Sequence, residues 1–139
     1  MESESSGGPQ ISLEQVFAKP NGVVGYWHIG WRVENIGAQP VRLASVRLPH
    51  GQFKADERKF EPAIELGPRQ QTQFQVNVRC REPEGPVTEN AFVIFYVLWL
   101  GEQWRVFVRL QVAINANGEP ETRVELITTQ QLGFSGVSS

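Results

Sequence analysis

Two long apolar runs joined by four residues constrain this chain more than anything else in it. Ala91-Phe92-Val93-Ile94-Phe95-Tyr96-Val97-Leu98-Trp99 leads through Leu100-Gly101-Glu102-Gln103 into Trp104-Arg105-Val106-Phe107-Val108-Arg109-Leu110-Gln111-Val112. β-Branched and aromatic residues dominate both runs, and the second alternates apolar with polar, as a half-buried strand does. The pair predicts a β-hairpin. Gly101-Glu102 as a two-residue loop fits a type II′ turn, whose first position needs positive φ and so takes glycine. That turn pairs Trp99 with Trp104, Val97 with Val106, Phe95 with Val108 and Val93 with Leu110, and residues opposite one another share a face. One face is then wholly apolar. The other sets Phe92, Ile94, Tyr96 and Leu98 against Arg105, Phe107, Arg109 and Gln111. The first run is apolar on both faces, which predicts a central strand covered twice.

The rest of the chain reads as strands that cover this hairpin. Residues 11–18 form the first. Lys19-Pro20-Asn21-Gly22 is a turn by composition, and 23–36 is a long second strand. In it Trp27, Ile29, Trp31 and Val33 share one face, with Tyr26, His28, Gly30, Arg32 and Glu34 on the other. After a turn at Asn35–Pro40, residues 41–48 make a third strand whose phase slips at Ala44-Ser45, the signature of a β-bulge. His50–Arg58 reads as a polar loop. A short edge strand at 59–66 is limited by Pro62, and Gly67-Pro68-Arg69 turns the chain. Residues 71–81 alternate cleanly, with Phe74, Val76, Val78 and Cys80 inward. Glu82–Thr88 is a loop, Asn115–Pro120 a turn, and 121–128 a last strand with Val124 and Leu126 inward. Short strands punctuated by Gly, Pro and Asn indicate an all-β, two-sheet antiparallel sandwich of about seven to eight strands, with no helix longer than about two turns.

Val33-Glu34-Asn35-Ile36-Gly37-Ala38-Gln39-Pro40-Val41-Arg42-Leu43 resembles the connection between the second and third strands of bacterial immunoglobulin-like domains, including those related to cell-adhesion modules. Ile64-Glu65-Leu66-Gly67-Pro68 followed by Phe74-Gln75-Val76 is similar to their later leucine, turn and strand step. The resemblance implies an immunoglobulin-like sandwich. One sheet would hold 11–18, 23–36, 59–66 and 70–81, and the other 41–48, 91–99 and 104–114. The chain departs from antibody domains in lacking a cysteine pair and the tyrosine that precedes the second cysteine.

The 139 residues suit one domain over 10–130, after a disordered segment at 1–9 and before a loose tail at 131–139. A formal net charge of −2 argues against general nucleic-acid binding, which calls for a basic excess. Cys80 is the only cysteine, so no internal disulfide forms. No apolar run reaches the roughly 18 residues of a membrane-spanning helix. The start is polar and acidic and lacks the basic and apolar regions of a signal peptide, so a cytoplasmic location is expected.

Chemistry is hard to assemble from what remains. His28, His50, Cys80 and Asp56 are the candidates. His50 with Asp56 and a serine could be imagined as a triad, but the two share one polar loop without a nucleophile elbow. His28 sits mid-strand among aromatics and reads as a hydrogen-bonded imidazole of a strand face. Cys80 continues an inward phase and reads as a buried, inert thiol. No converging Cys/His/carboxylate set suits zinc, and a single aspartate does not suit calcium. No glycine-rich segment opens a helix as a phosphate loop would, and Glu61 and Glu65 read as solvating an edge. No enzyme, metal or cofactor is expected.

The expected function is therefore non-catalytic: an interaction or assembly module that meets another protein, or another copy of itself, through an outer sheet face. Phe92, Ile94, Tyr96, Leu98 and Phe107, bordered by Arg105 and Arg109, form that candidate interface. Aromatics and arginines are enriched at such surfaces. The alternative is a carbohydrate-binding sandwich that stacks sugars on exposed Trp99, Trp104 or Tyr26.

Overall fold

The alternation along the chain becomes eight strands: β1 (Ile11–Pro20), β2 (Tyr26–Asn35), β3 (Val41–Leu48), β4 (Phe53–Leu66), β5 (Gln71–Cys80), β6 (Thr88–Trp99), β7 (Glu102–Ile114) and β8 (Pro120–Gln131). They come from a computed structural model that describes residues 7–49, 51–80 and 88–132. No α-helix occurs among the described residues. His50, most of the loop before the central hairpin and the tail from 133 onward lie outside them.

The strands follow one another in the order β1-β2-β5-β4-β3-β6-β7-β8, every neighbour antiparallel. This is one nearly closed sheet. The expected separation into two sheets does not hold at β4. Its first residues, Phe53 and Lys54, pair with Cys80 and Arg79 of β5, and everything from Ala55 onward pairs with β3. Residues 59–66 therefore lie beside 41–48, and not with the 11–18, 23–36 and 70–81 group. The stretch 53–58, expected as a polar loop, is the first half of the same strand.

Two irregularities let β4 cross over. Four residues, 60–63, stand opposite Ala44 of β3, and Asp56-Glu57 stand opposite Arg47. Bulges of this kind bend a strand and increase its twist. The longer one turns Phe60 inward, where it packs edge to face on Phe74 at 5.5 Å, and it accommodates Pro62, which has no N–H to give to a ladder. The slip at Ala44-Ser45 is the bulge expected there.

Inside the curl, Ile29, Trp31, Val33, Val78, Val93, Phe95, Val106, Val108 and Leu110 are fully buried, with Phe74, Val76 and Val97 almost so. Trp27 is half-buried against them. The core expected from the inward phases of β2, β5, β6 and β7 is thus the core observed, extended by Val41, Leu43, Val46, Leu48 and Phe53. Leu126, expected inward with Val124, is instead 48% exposed, because a bulge at Glu125 sets it opposite the outward Arg109. Trp31 and Phe95 both pack on Phe74, with ring centroids at 6.1 and 5.7 Å.

The central hairpin keeps its faces and changes its register. Trp99 pairs with Glu102, Val97 with Trp104, Phe95 with Val106 and Val93 with Val108. The loop is Leu100-Gly101, with φ of 51° and 75°. Positive φ at both central positions is the type I′ arrangement, and the expected II′ turn at Gly101-Glu102 is not formed. The slip is two residues, which equals the side-chain repeat, so no residue changes face.

Both ends of the curl are held by side chains. At one end Asn35 is 1% exposed. Its Nδ2 donates to the carbonyls of Gln39 (2.8 Å) and Leu66 (2.9 Å), and its Oδ1 accepts from the Gly37 N–H (2.9 Å). A buried amide so satisfied joins β2, β4 and the turn between β2 and β3. At the seam, β1 and β8 share no backbone ladder. Gln15, at a bulge in β1, bridges them. Its Nε2 donates to Pro120 O (3.0 Å), and its Oε1 accepts from the N–H (2.9 Å) and hydroxyl (2.7 Å) of Thr122. Further along the seam, Gly8 lies so close that a Cβ there would meet Thr129 Oγ1 at 2.7 Å and the Trp104 ring at 2.8 Å.

Two substitutions test this account. Phe95→Ala should cost about 3–5 kcal/mol, as for other fully buried aromatics, and an unchanged denaturation midpoint would show the hairpin faces reversed. Gln15→Ala should cost about 1–3 kcal/mol, because it leaves the Thr122 N–H without its acceptor. Amide exchange at Thr122 should accelerate in that variant; an unaltered rate would mean that Gln15 does not close the seam.

Candidate interaction face

With Val93, Phe95, Val97, Val106 and Val108 turned into the core, the alternate residues of β6 and β7 stand on the outer face of the sheet. The expected interface residues are all there. Phe92 is opposite Arg109, Ile94 opposite Phe107, and Tyr96 opposite Arg105, while Leu98 lies between Arg42 and Gln103. Ile94 is only 4% exposed, and the other six are half-buried.

The geometry centres on Tyr96. The Arg105 guanidinium carbon stands 5.2 Å from the ring centroid and that of Arg47, from β3, 5.8 Å. A cation at this distance over an aromatic face is attracted by the ring quadrupole. Each arginine covers apolar surface with its stem while its head stays outward. Neither forms an ion pair or hydrogen bond with a described residue, and the Nε of each is shielded from solvent without an acceptor. The other arginines of the face have carboxylate partners: Arg42 Nε donates to Glu65 at 2.6 Å, and Arg109 Nε, though it too lacks a hydrogen bond, lies 3.3 Å from Glu125 as an ion pair.

Beside Tyr96 the β3 bulge opens a recess of about 310 Å³ lined by Ala44, Ser45, Arg47, Glu57, Lys59 and Tyr96. The β4 bulge presents Glu57 here, where it accepts the Ser45 hydroxyl at 2.7 Å. Arg47 belongs to this constellation, although the hairpin pattern alone did not point to it. It sits on a different strand, and only the β3–β6 pairing brings it to Tyr96.

The other candidate residues are dispersed. Trp99 and Trp104 pack edge to face at 5.6 Å and rest half-buried against the core. Tyr26 lines a separate polar recess of about 260 Å³ with Lys54, Asp56, Asn77 and Arg79. His28 lies on β2 between Lys19 and Asn77. Asp56 is exposed on β4, and His50 lies outside the described residues. Cys80 is buried. Among the described residues no group of three or more His, Cys, Asp or Glu side chains is placed to hold a metal ion, and no helix is long and apolar enough to cross a membrane. No protein-family model matches this chain, and a comparison with curated proteins finds no match either.

Adjacent residues on opposite faces provide a direct check of this assignment. Tyr96→Ala should cost about 1–2 kcal/mol, the sum of two cation–π contacts near a surface, well below Phe95→Ala in urea denaturation. Equal losses for the two would place Tyr96 in a second core rather than on an outer face.

Proposed function

We propose that this chain is a non-catalytic binding module that contacts a partner protein through the outer face of β3, β6 and β7. The observation that carries the reading is the Tyr96 ring held between Arg47 and Arg105, next to half-buried Phe92, Leu98 and Phe107. Aromatic and arginine side chains that combine packed stems with unused donors are what protein interfaces concentrate at their centres. Sugar binding would instead call for exposed rings in a row, and Trp99 and Trp104 turn to each other and to the core.

An immunoglobulin-like kinship is a proposal of the same kind. The order β1-β2-β5-β4 followed by β3-β6-β7 is compatible with the A-B-E-D and C-F-G sheets of such domains. The shared strand β4 and the added β8 depart from it.

The test is Tyr96→Glu combined with Phe107→Glu, with mass followed by light scattering and folding by circular dichroism. On a contact face the pair leaves a folded protein, of smaller mass if the wild type self-associates. A wild-type monomer whose double variant unfolds would identify the face as internal core, because a carboxylate is costly to bury there, and the reading would fail.

A further inference from the structure

The arginine pairing on this face narrows the occupant. We infer that the face docks an acidic, extended segment of a different protein, its carboxylates seated on Arg47 and Arg105 on either side of the Tyr96 ring. This rests on the reading of the face as a contact surface and adds the chemistry of the partner.

Three observations converge. First, the acidic side chains of the face are already engaged: Glu65 with Arg42, Glu125 with Arg109 and Gln111, and Glu57 with Ser45. Of the four arginines on β3 and β7, Arg47 and Arg105 are the two without a carboxylate among the described residues, and both stand over the ring they share. A guanidinium already ordered in this way loses little further freedom when a carboxylate binds, and its planar donors match a carboxylate in two-point geometry. Second, the recess beside the ring, about 310 Å³, is lined by two cations, Lys59 and Arg47, against one carboxylate, Glu57, which is held by the Ser45 hydroxyl. Third, the spacing suits an extended chain. Tyr96 pairs directly with Arg105 on one side, while Arg47 comes from the strand on the other, so the two cations lie across neighbouring strands about 4.8 Å apart each. A chain crossing β3, β6 and β7 meets one cation, the ring and the second cation in turn.

The same observations disfavour two other occupants. A second copy docked through this face by a two-fold axis would set the patch against itself, bringing Arg47 and Arg105 toward the same unmatched cations. A nucleic acid presents a continuous run of phosphates. Here Glu57, Glu65 and Glu125 interrupt the basic residues, and the chain carries a net charge of −2.

The experiment is a fluorescence-anisotropy titration of the full chain with a labelled peptide of about twelve residues alternating Glu and Leu. The comparison probes are the same peptide with Gln for Glu, and single-stranded oligothymidylate of similar length. The Glu peptide should bind at about 50 mM salt and weaken steeply by about 500 mM, as screening shortens the reach of surface charges. The Gln peptide should bind at least about tenfold less tightly. Arg47→Gln and Arg105→Gln should each weaken the Glu peptide about tenfold, the order expected for loss of one charge-assisted pair. Arg42→Gln, whose guanidinium is held by Glu65, should change it by less than about twofold. Equal binding of the Gln peptide, tighter binding of the oligonucleotide, an effect of Arg42→Gln as large as that of Arg47→Gln, or no binding of the Glu peptide each overturns the acidic occupant. None of these results touches the contact face itself. That reading falls separately, if the Tyr96→Glu, Phe107→Glu protein unfolds from a monomer.

Discussion

Everything in this molecule depends on β4 being hydrogen-bonded to two strands on opposite sides of the core. An antiparallel sheet with one apolar face must hide that face, and eight strands of such a sheet can do so only by curling onto themselves. β4 is where the curl turns its corner. It joins β5 through Phe53 and Lys54 alone, then bends through two bulges and runs on with β3. Where it leaves β5, the Arg58 guanidinium reaches across to the Gln75 carbonyl, satisfying a backbone acceptor that the departing strand no longer serves. The corner and the seam thus share one device. At each, a long side chain does the hydrogen bonding that a neighbouring backbone would otherwise do, by Arg58 at the corner and by Gln15 at the seam.

The outer face follows from the same curl. A strand at the centre of a sheet is covered by its neighbours' side chains on both sides, and β6 is central. Its outward residues are apolar, yet among the described residues no second layer of strands lies over them. Arginine stems from β3 and β7 supply part of that cover instead. The result is a surface apolar enough to bury Ile94 and polar enough to keep Tyr96 half in water. Arrangements of this kind leave charged heads standing at fixed positions, and the proposed contact face rests on that packing solution.

Most of this was legible in the sequence where the signal was periodic. The inward residues of β2, β5, β6 and β7 were read correctly because a period of two is unambiguous over eight or more residues. It even absorbed the wrong turn: Leu100 takes positive φ, an uncommon choice for a leucine, and a pattern reading places the special position on glycine first. The failure came at β4. Lys54, Asp56, Glu57, Arg58 and Lys59 look like a loop because charge outweighs the isolated Phe53, Ala55 and Phe60 that mark the strand's inner side. No local pattern announces that a strand changes partners midway, since the cause is the closure of the whole sheet. Arg47 stands out in the sequence as one of several arginines alternating with aromatics, but its place beside Tyr96, like the Gln15 bridge at the seam, was hidden for a related reason. Their partners are close in space and distant in sequence, and nothing in a single chain's pattern encodes that distance.

The Gln15 bridge has a mechanical meaning. β1 and β8 run antiparallel, with Gly8 beside Thr129 and Gln15 beside Thr122, so the first and last described strands leave the body side by side at the same end. Tension applied between Gly8 and Leu132 would load the seam from that end, separating contacts in succession rather than shearing a full ladder at once. Such a geometry yields at low force. Single-molecule pulling would then see β1 or β8 peel away first, while the ladder between β6 and β7 stays intact.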